Sequence, residues 1–104
     1  MGVYDSTVRG VTEGRAQIPA GAGQSDLTDW IELTDTASHP KSQNPIIIAN
    51  LCGEGAPDQE ATAGVKAIIV DLQWTGSYWK FRIQLSGNIT ELEKVGYIAM
   101  SQFG

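Results

Sequence analysis

Histidine and cysteine are almost missing from this chain, with one of each, His39 and Cys52, in 104 residues. A single thiol closes no internal disulfide, which predicts folding in a reducing compartment. His39 stands in a polar loop with no second histidine or paired cysteine at a ligand spacing, so no metal site and no cofactor are expected. Cations are also scarce: 7 Lys and Arg face 12 Asp and Glu, a net charge of −5, with no block of either sign. Such a surface repels a phosphate backbone, and nucleic acid is not an expected partner. No apolar run approaches the ~18 residues of a membrane-spanning helix, and the first residues lack a basic-then-apolar leader, so neither membrane insertion nor Sec export is expected. The AGAGQSD stretch at residues 20–26 is not followed by Gly-Lys-Ser/Thr and is no phosphate loop. With no triad, metal pattern or phosphate loop to gather titratable groups, the chain is not expected to be an enzyme.

What it does have is glycine, 12 residues, punctuating short β-type runs, and this predicts one all-β domain. The clearest signal is residues 65–85. Lys66, Ile68, Val70, Leu72 and Trp74 share one parity, then Trp79, Phe81, Ile83 and Leu85 share the other, which is period-two alternation on both sides of a turn. The reading is a β-hairpin with a four-residue loop at 75–78. It pairs Trp74 with Trp79, Leu72 with Phe81 and Val70 with Ile83. On the other face the same register sets Asp71 across from Arg82 and Gln73 across from Lys80.

Residues 1–14 mix glycine, polar and charged residues and read as an arm, which leaves residues 15–104 as the domain. Short strands are predicted at 15–18 and 29–34. In the latter, Ile31 and Leu33 face one way and Trp30 and Glu32 the other; Trp30 is either covered by the arm or an exposed aromatic at a subunit contact or sugar platform. Pro45 leads into IIIANLC, and KVGYIAM closes the chain at 94–100. Both are apolar on both parities, which predicts strands covered on two faces. In so small a domain the second cover is expected to be an identical subunit. Cys52 reads as a packed small group, since no neighbouring charge or histidine would make its thiolate. The stretches 53–64 and 86–93 are glycine-rich or polar loops, where binding groups tend to sit.

Five features occur in a recognisable order: Trp30-Ile31-x-Leu33, the proline-led Pro45-Ile46-Ile47-Ile48, Ala67-x-x-Val70 ending in Thr75-Gly76, an aromatic-rich strand, and Val95-Gly96-Tyr97-Ile98-Ala99. Over residues 15–101 this order resembles the H-type lectin domain. The resemblance implies a six-stranded antiparallel β-sandwich that assembles as a homotrimer. It also implies a sugar site between protomers, formed by an arginine before the Ala-x-x-Val strand and by aromatics before the last strand. This chain has Gly64 to Lys66 at the first place and Leu85, Ser86 and Glu91 around the second, so Lys66 stands in as donor and the aromatic platform is absent. Similar domains occur in bacteriophage tail and fibre proteins.

The expected function is therefore a non-catalytic oligomeric binding or structural module of a bacteriophage virion, assembled in the host cytoplasm, with other virion proteins or surface glycans as partners. The alternative is a soluble carbohydrate-binding lectin, in the cytoplasm or outside the cell. Recognition is expected from loops at one end of the sandwich, 54–64, 75–78 and 86–91, with Asp58, Lys66, Tyr78, Asn88 and Glu91 as the candidate ligand-binding residues.

Overall fold

The two-residue alternation of the sequence becomes six antiparallel strands: β1 (Val11–Ile18), β2 (Ile31–Leu33), β3 (Ile46–Gly53), β4 (Ala67–Trp74), β5 (Trp79–Leu85) and β6 (Glu93–Met100). The computed structural model describes residues 10–19, 21 and 27–101, and no helix occurs among them. One three-stranded sheet has the order β1-β6-β3 and the other β2-β5-β4. Their inner faces meet in a sandwich-like core. Ile18, Leu51, Val95 and Ala99 come from the first sheet, and Leu33, Trp79, Phe81, Ile83 and Leu85 from the second. Each of the larger side chains contributes about 1.5–3 kcal/mol by leaving water.

β5 shows the cleanest alternation of buried and half-buried residues because it is paired on both sides. Phe81 meets Tyr97 edge to face across the two sheets, with ring centroids 5.4 Å apart. Gly14 makes that contact possible. It pairs with Tyr97, and a Cβ there would fall on the tyrosine's phenol.

The hairpin turn is as the sequence implies. Trp74 pairs with Trp79 and Gln73 with Lys80, while the Thr75 amide donates to the Tyr78 carbonyl at 2.9 Å. The Thr75 hydroxyl accepts from the Ser77 and Tyr78 amides, and Gly76 takes the positive φ the loop requires. Beyond Gln73 the expected register fails. Asp71 adopts φ 55°, a bulge absorbs one residue, and the pairs become Val70 with Arg82 and Ile69 with Ile83. Asp71 is thus not opposite Arg82. Ala67 and Ile69 turn inward with Leu72 and Trp74, and Ile68 faces solvent. A bulge exchanges the faces of every residue behind it.

Two further expectations change. β1 begins at Val11, so the last four residues of the expected arm belong to the first sheet; residues 1–9 lie outside the described residues. β3 is an edge strand, not a central one, and it is covered on one face only. Ile47, Ala49 and Leu51 face the core, while Ile46 is 67% and Ile48 55% exposed. An apolar run reports that both faces avoid water, and here the second face has no cover among the described residues.

Candidate functional site

The loops gather at two opposite ends. At one end Glu93, fully buried at the start of β6, organises the long 54–64 connection. Its carboxylate accepts from the Gly53 amide at 3.1 Å, the Thr62 amide at 3.1 Å and the Thr62 hydroxyl at 2.7 Å. Gln59 donates to the Leu92 carbonyl at 2.9 Å and accepts from the Gly55 amide at 2.7 Å. Lys66 and Ser86 exchange two bonds, backbone amide to hydroxyl at 2.8 Å and amide to carbonyl at 2.9 Å. Ile89, buried in the core, anchors the 86–92 loop between exposed Asn88 and Thr90.

Asp58, Lys66, Asn88 and Glu91 all sit at this end, each solvent-exposed. Tyr78 does not. It lies in the hairpin turn, the length of β5 away, about 20 Å at ~3.3 Å per residue. Its hydroxyl donates to Glu32 at 2.5 Å, and this bond holds the phenol above its ordinary range. The expected single cluster of three loops is therefore split, because a hairpin turn and the termini of the same hairpin must lie at opposite ends. His39 occupies the Tyr78 end. It is completely buried, with Nε2 at 2.7 Å from the Thr12 hydroxyl and Nδ1 at 2.8 Å from the Ser101 hydroxyl, and it ties the 34–45 connection to β1 and to the residue after β6. Trp79 closes the same corner by donating to the Pro40 carbonyl at 2.9 Å.

The outer face of the first sheet is different in character. The register sets Val11, Met100 and Ile46 in one row and Glu13, Ile98 and Ile48 in the next. Val11 is 45% and Ile98 40% exposed. Five apolar side chains thus form one open patch near the Tyr78 end. The third row, Arg15, Gly96 and Asn50, leaves a trough of about 220 Å³ lined by Arg15, Ile48, Asn50, Cys52 and Ile98. Gly96 creates it by lacking a side chain, since an added Cβ would meet nothing nearer than the Cys52 sulfur at 3.8 Å. Arg15 forms an ion pair with Glu54 at 2.5 Å along the trough, and the Cys52 thiol donates to the same carboxylate at 3.2 Å. Burial and the Glu54 charge together push the thiol up. That is the opposite of what a nucleophile needs.

The outer face of the second sheet carries a cluster that the sequence reading did not assemble. Trp30 is 37% exposed, with the Lys80 ammonium 4.0 Å and the Arg82 guanidinium 5.3 Å from its ring centre. Of its expected cover, the arm, residues 11–14 belong to β1 in the other sheet and residues 1–9 lie outside the described residues. The signal was available: Trp30 shares the outward parity of Glu32, and Lys80 and Arg82 share the outward parity of β5. Among the described residues no group of three His, Cys, Asp or Glu side chains could hold a metal ion. Comparison of the chain with protein-family models, with curated proteins and with solved structures found no match.

Proposed function

We propose that this chain is a non-catalytic module that works as an assembly of identical copies, a homotrimer of the H-type lectin kind. Its proposed setting is a bacteriophage virion, as a tail, fibre or surface-attachment component assembled in the host cytoplasm, with other virion proteins or surface glycans as partners. One observation carries the assembly: Val11, Met100, Ile46, Ile98 and Ile48 stand side by side on the outer face of the first sheet, with four of them at 40% exposure or more. A contiguous apolar sheet face of this kind marks a surface that gains by being covered, and a self-complementary patch shared by identical copies is how symmetric contacts form. The virion setting rests on the order of motifs shared with the resembling domains.

Light scattering across a range of concentrations is the test. The expected mass is three times the 11.2 kDa of the chain, and Ile48→Asp should reduce it to one. A wild-type monomer at high concentration would remove the reading. The second reading, a soluble carbohydrate-binding lectin, is favoured by the exposed polar side chains of Asp58, Lys66, Asn88 and Glu91 at one end. A glycan screen whose signal is lost on Lys66→Ala would support it.

A further inference from the structure

The outer face of the second sheet holds two cations, Lys80 and Arg82, that form no ion pair with any other described residue. Register sets Glu32, Lys80 and Gln73 in one row, with Arg82 beside Val70 in the next and Trp30 immediately before β2 on the Arg82 side. Among the described residues the ion pairs are those of Arg15 with Glu13 and Glu54, so neither Lys80 nor Arg82 has a carboxylate partner. Glu32, the carboxylate placed across from Lys80, instead accepts the Tyr78 hydroxyl at 2.5 Å. Arg82 donates Nε to the Thr28 carbonyl at 3.0 Å, which fixes the guanidinium beside the indole. Two cations held 4.0 and 5.3 Å from one partly exposed tryptophan thus stand without an ion pair among the described residues, with Glu32 as the carboxylate across the strand from Lys80.

We infer that Trp30, Lys80 and Arg82 form a binding site for a sugar that carries a carboxylate, of the uronic- or sialic-acid class. The inference rests on the reading of the chain as a recognition module and names the ligand class. Each part of such a ligand has a partner here. The pyranose ring packs on the part of the indole that the two cations leave exposed, an aromatic with an apolar body. The carboxylate takes the Arg82 fork and the Lys80 point charge, where charge-assisted bonds are strongest. Gln73 and Glu32 flank Lys80 as hydroxyl partners. The overall negative charge selects against long polyanions, which the rest of the surface repels, and tolerates a ligand with one charge. The site is on the opposite sheet from the apolar patch, so it stays open when copies assemble through the first sheet.

The test is an immobilised panel of sialic-acid- and glucuronic-acid-terminated oligosaccharides beside their neutral galactose- and glucose-terminated counterparts, probed with the full chain. Binding is expected to the acidic members only, and to weaken as salt is raised toward the range where the Debye length is about 8 Å. Lys80→Gln keeps the side-chain stem and is expected to lower the response about tenfold; Trp30→Ala should do the same. Light scattering on Lys80→Gln should return the wild-type mass, which separates this site from the assembly: a monomer that binds acidic sugars sinks the trimer and leaves this site standing. Equal response to neutral and acidic sugars, no response to any, or binding to acidic sugars that Lys80→Gln leaves intact, would each overturn the inference. Binding to heparin that is indifferent to Trp30→Ala would also overturn it, by showing a plain cationic patch.

Discussion

A proton added to His39 has to be accommodated between two hydroxyls in a site with no water contact, where the ring is completely buried. Burial holds the imidazole below its usual range, partly opposed by the Asp35 carboxylate on the same turn. A folded-state value below the unfolded ~6.5 means that this contribution is fully present above that pH. It is lost as pH falls from there toward the folded value, because the unfolded chain takes up the proton first. The urea midpoint is accordingly expected to drop between pH 7 and pH 5, and the drop should shrink in His39→Gln. Glu93 is the other residue on which an end of the molecule depends. Removing its carboxylate strands two backbone amides and a hydroxyl, so Glu93→Ala should cost about 2–4 kcal/mol in equilibrium unfolding. It should also raise amide exchange across residues 54–62. At Gly14 the obstacle is steric. Alanine there displaces the Tyr97 phenol from its place against Phe81, at about 1–3 kcal/mol.

Asp71 is where reading the sequence and folding the chain part company. The alternation of β5 survives intact because it is the middle strand, and the loop at 75–78 is fixed by Gly76 and the Thr75 hydroxyl. Both were legible. An aspartate in a strand pattern, by contrast, does not announce φ 55°, and the charge match with Arg82 argued for the wrong register. Asp71→Gly is expected to leave stability unchanged or slightly higher. Asp71→Val, a β-branched residue forced to positive φ, should lower it by about 1–3 kcal/mol in urea unfolding. The same lesson holds for β3: IIIANLC identified a strand and an unmet need for cover on its second face, but strand order depends on pairing partners far along the chain, and nothing local places β3 at an edge. His39 shows the limit for single residues. Its polar neighbours suggested a solvated connection, whereas its partners Thr12 and Ser101 lie 27 and 62 positions away.

For the molecule as a whole, the architecture was readable because alternation, glycine and proline act locally, and the candidate site was not, because convergence of loops is a property of topology. Asp58, Lys66, Asn88 and Glu91 share an end, Tyr78 faces the other way, and the Trp30 cluster belongs to neither. Ile98→Glu, like Ile48→Asp, tests the apolar face without touching the core; the expected result is a reduced mass in sedimentation with an unchanged far-ultraviolet spectrum. The bulge in β4 has a bearing on assembly as well. β4 ends its sheet, and a strand from another copy that tried to lengthen the sheet there would find its ladder of donors and acceptors out of step at Asp71. Adding strand to strand is disfavoured along that one border, which suits the face-to-face contact proposed for the first sheet.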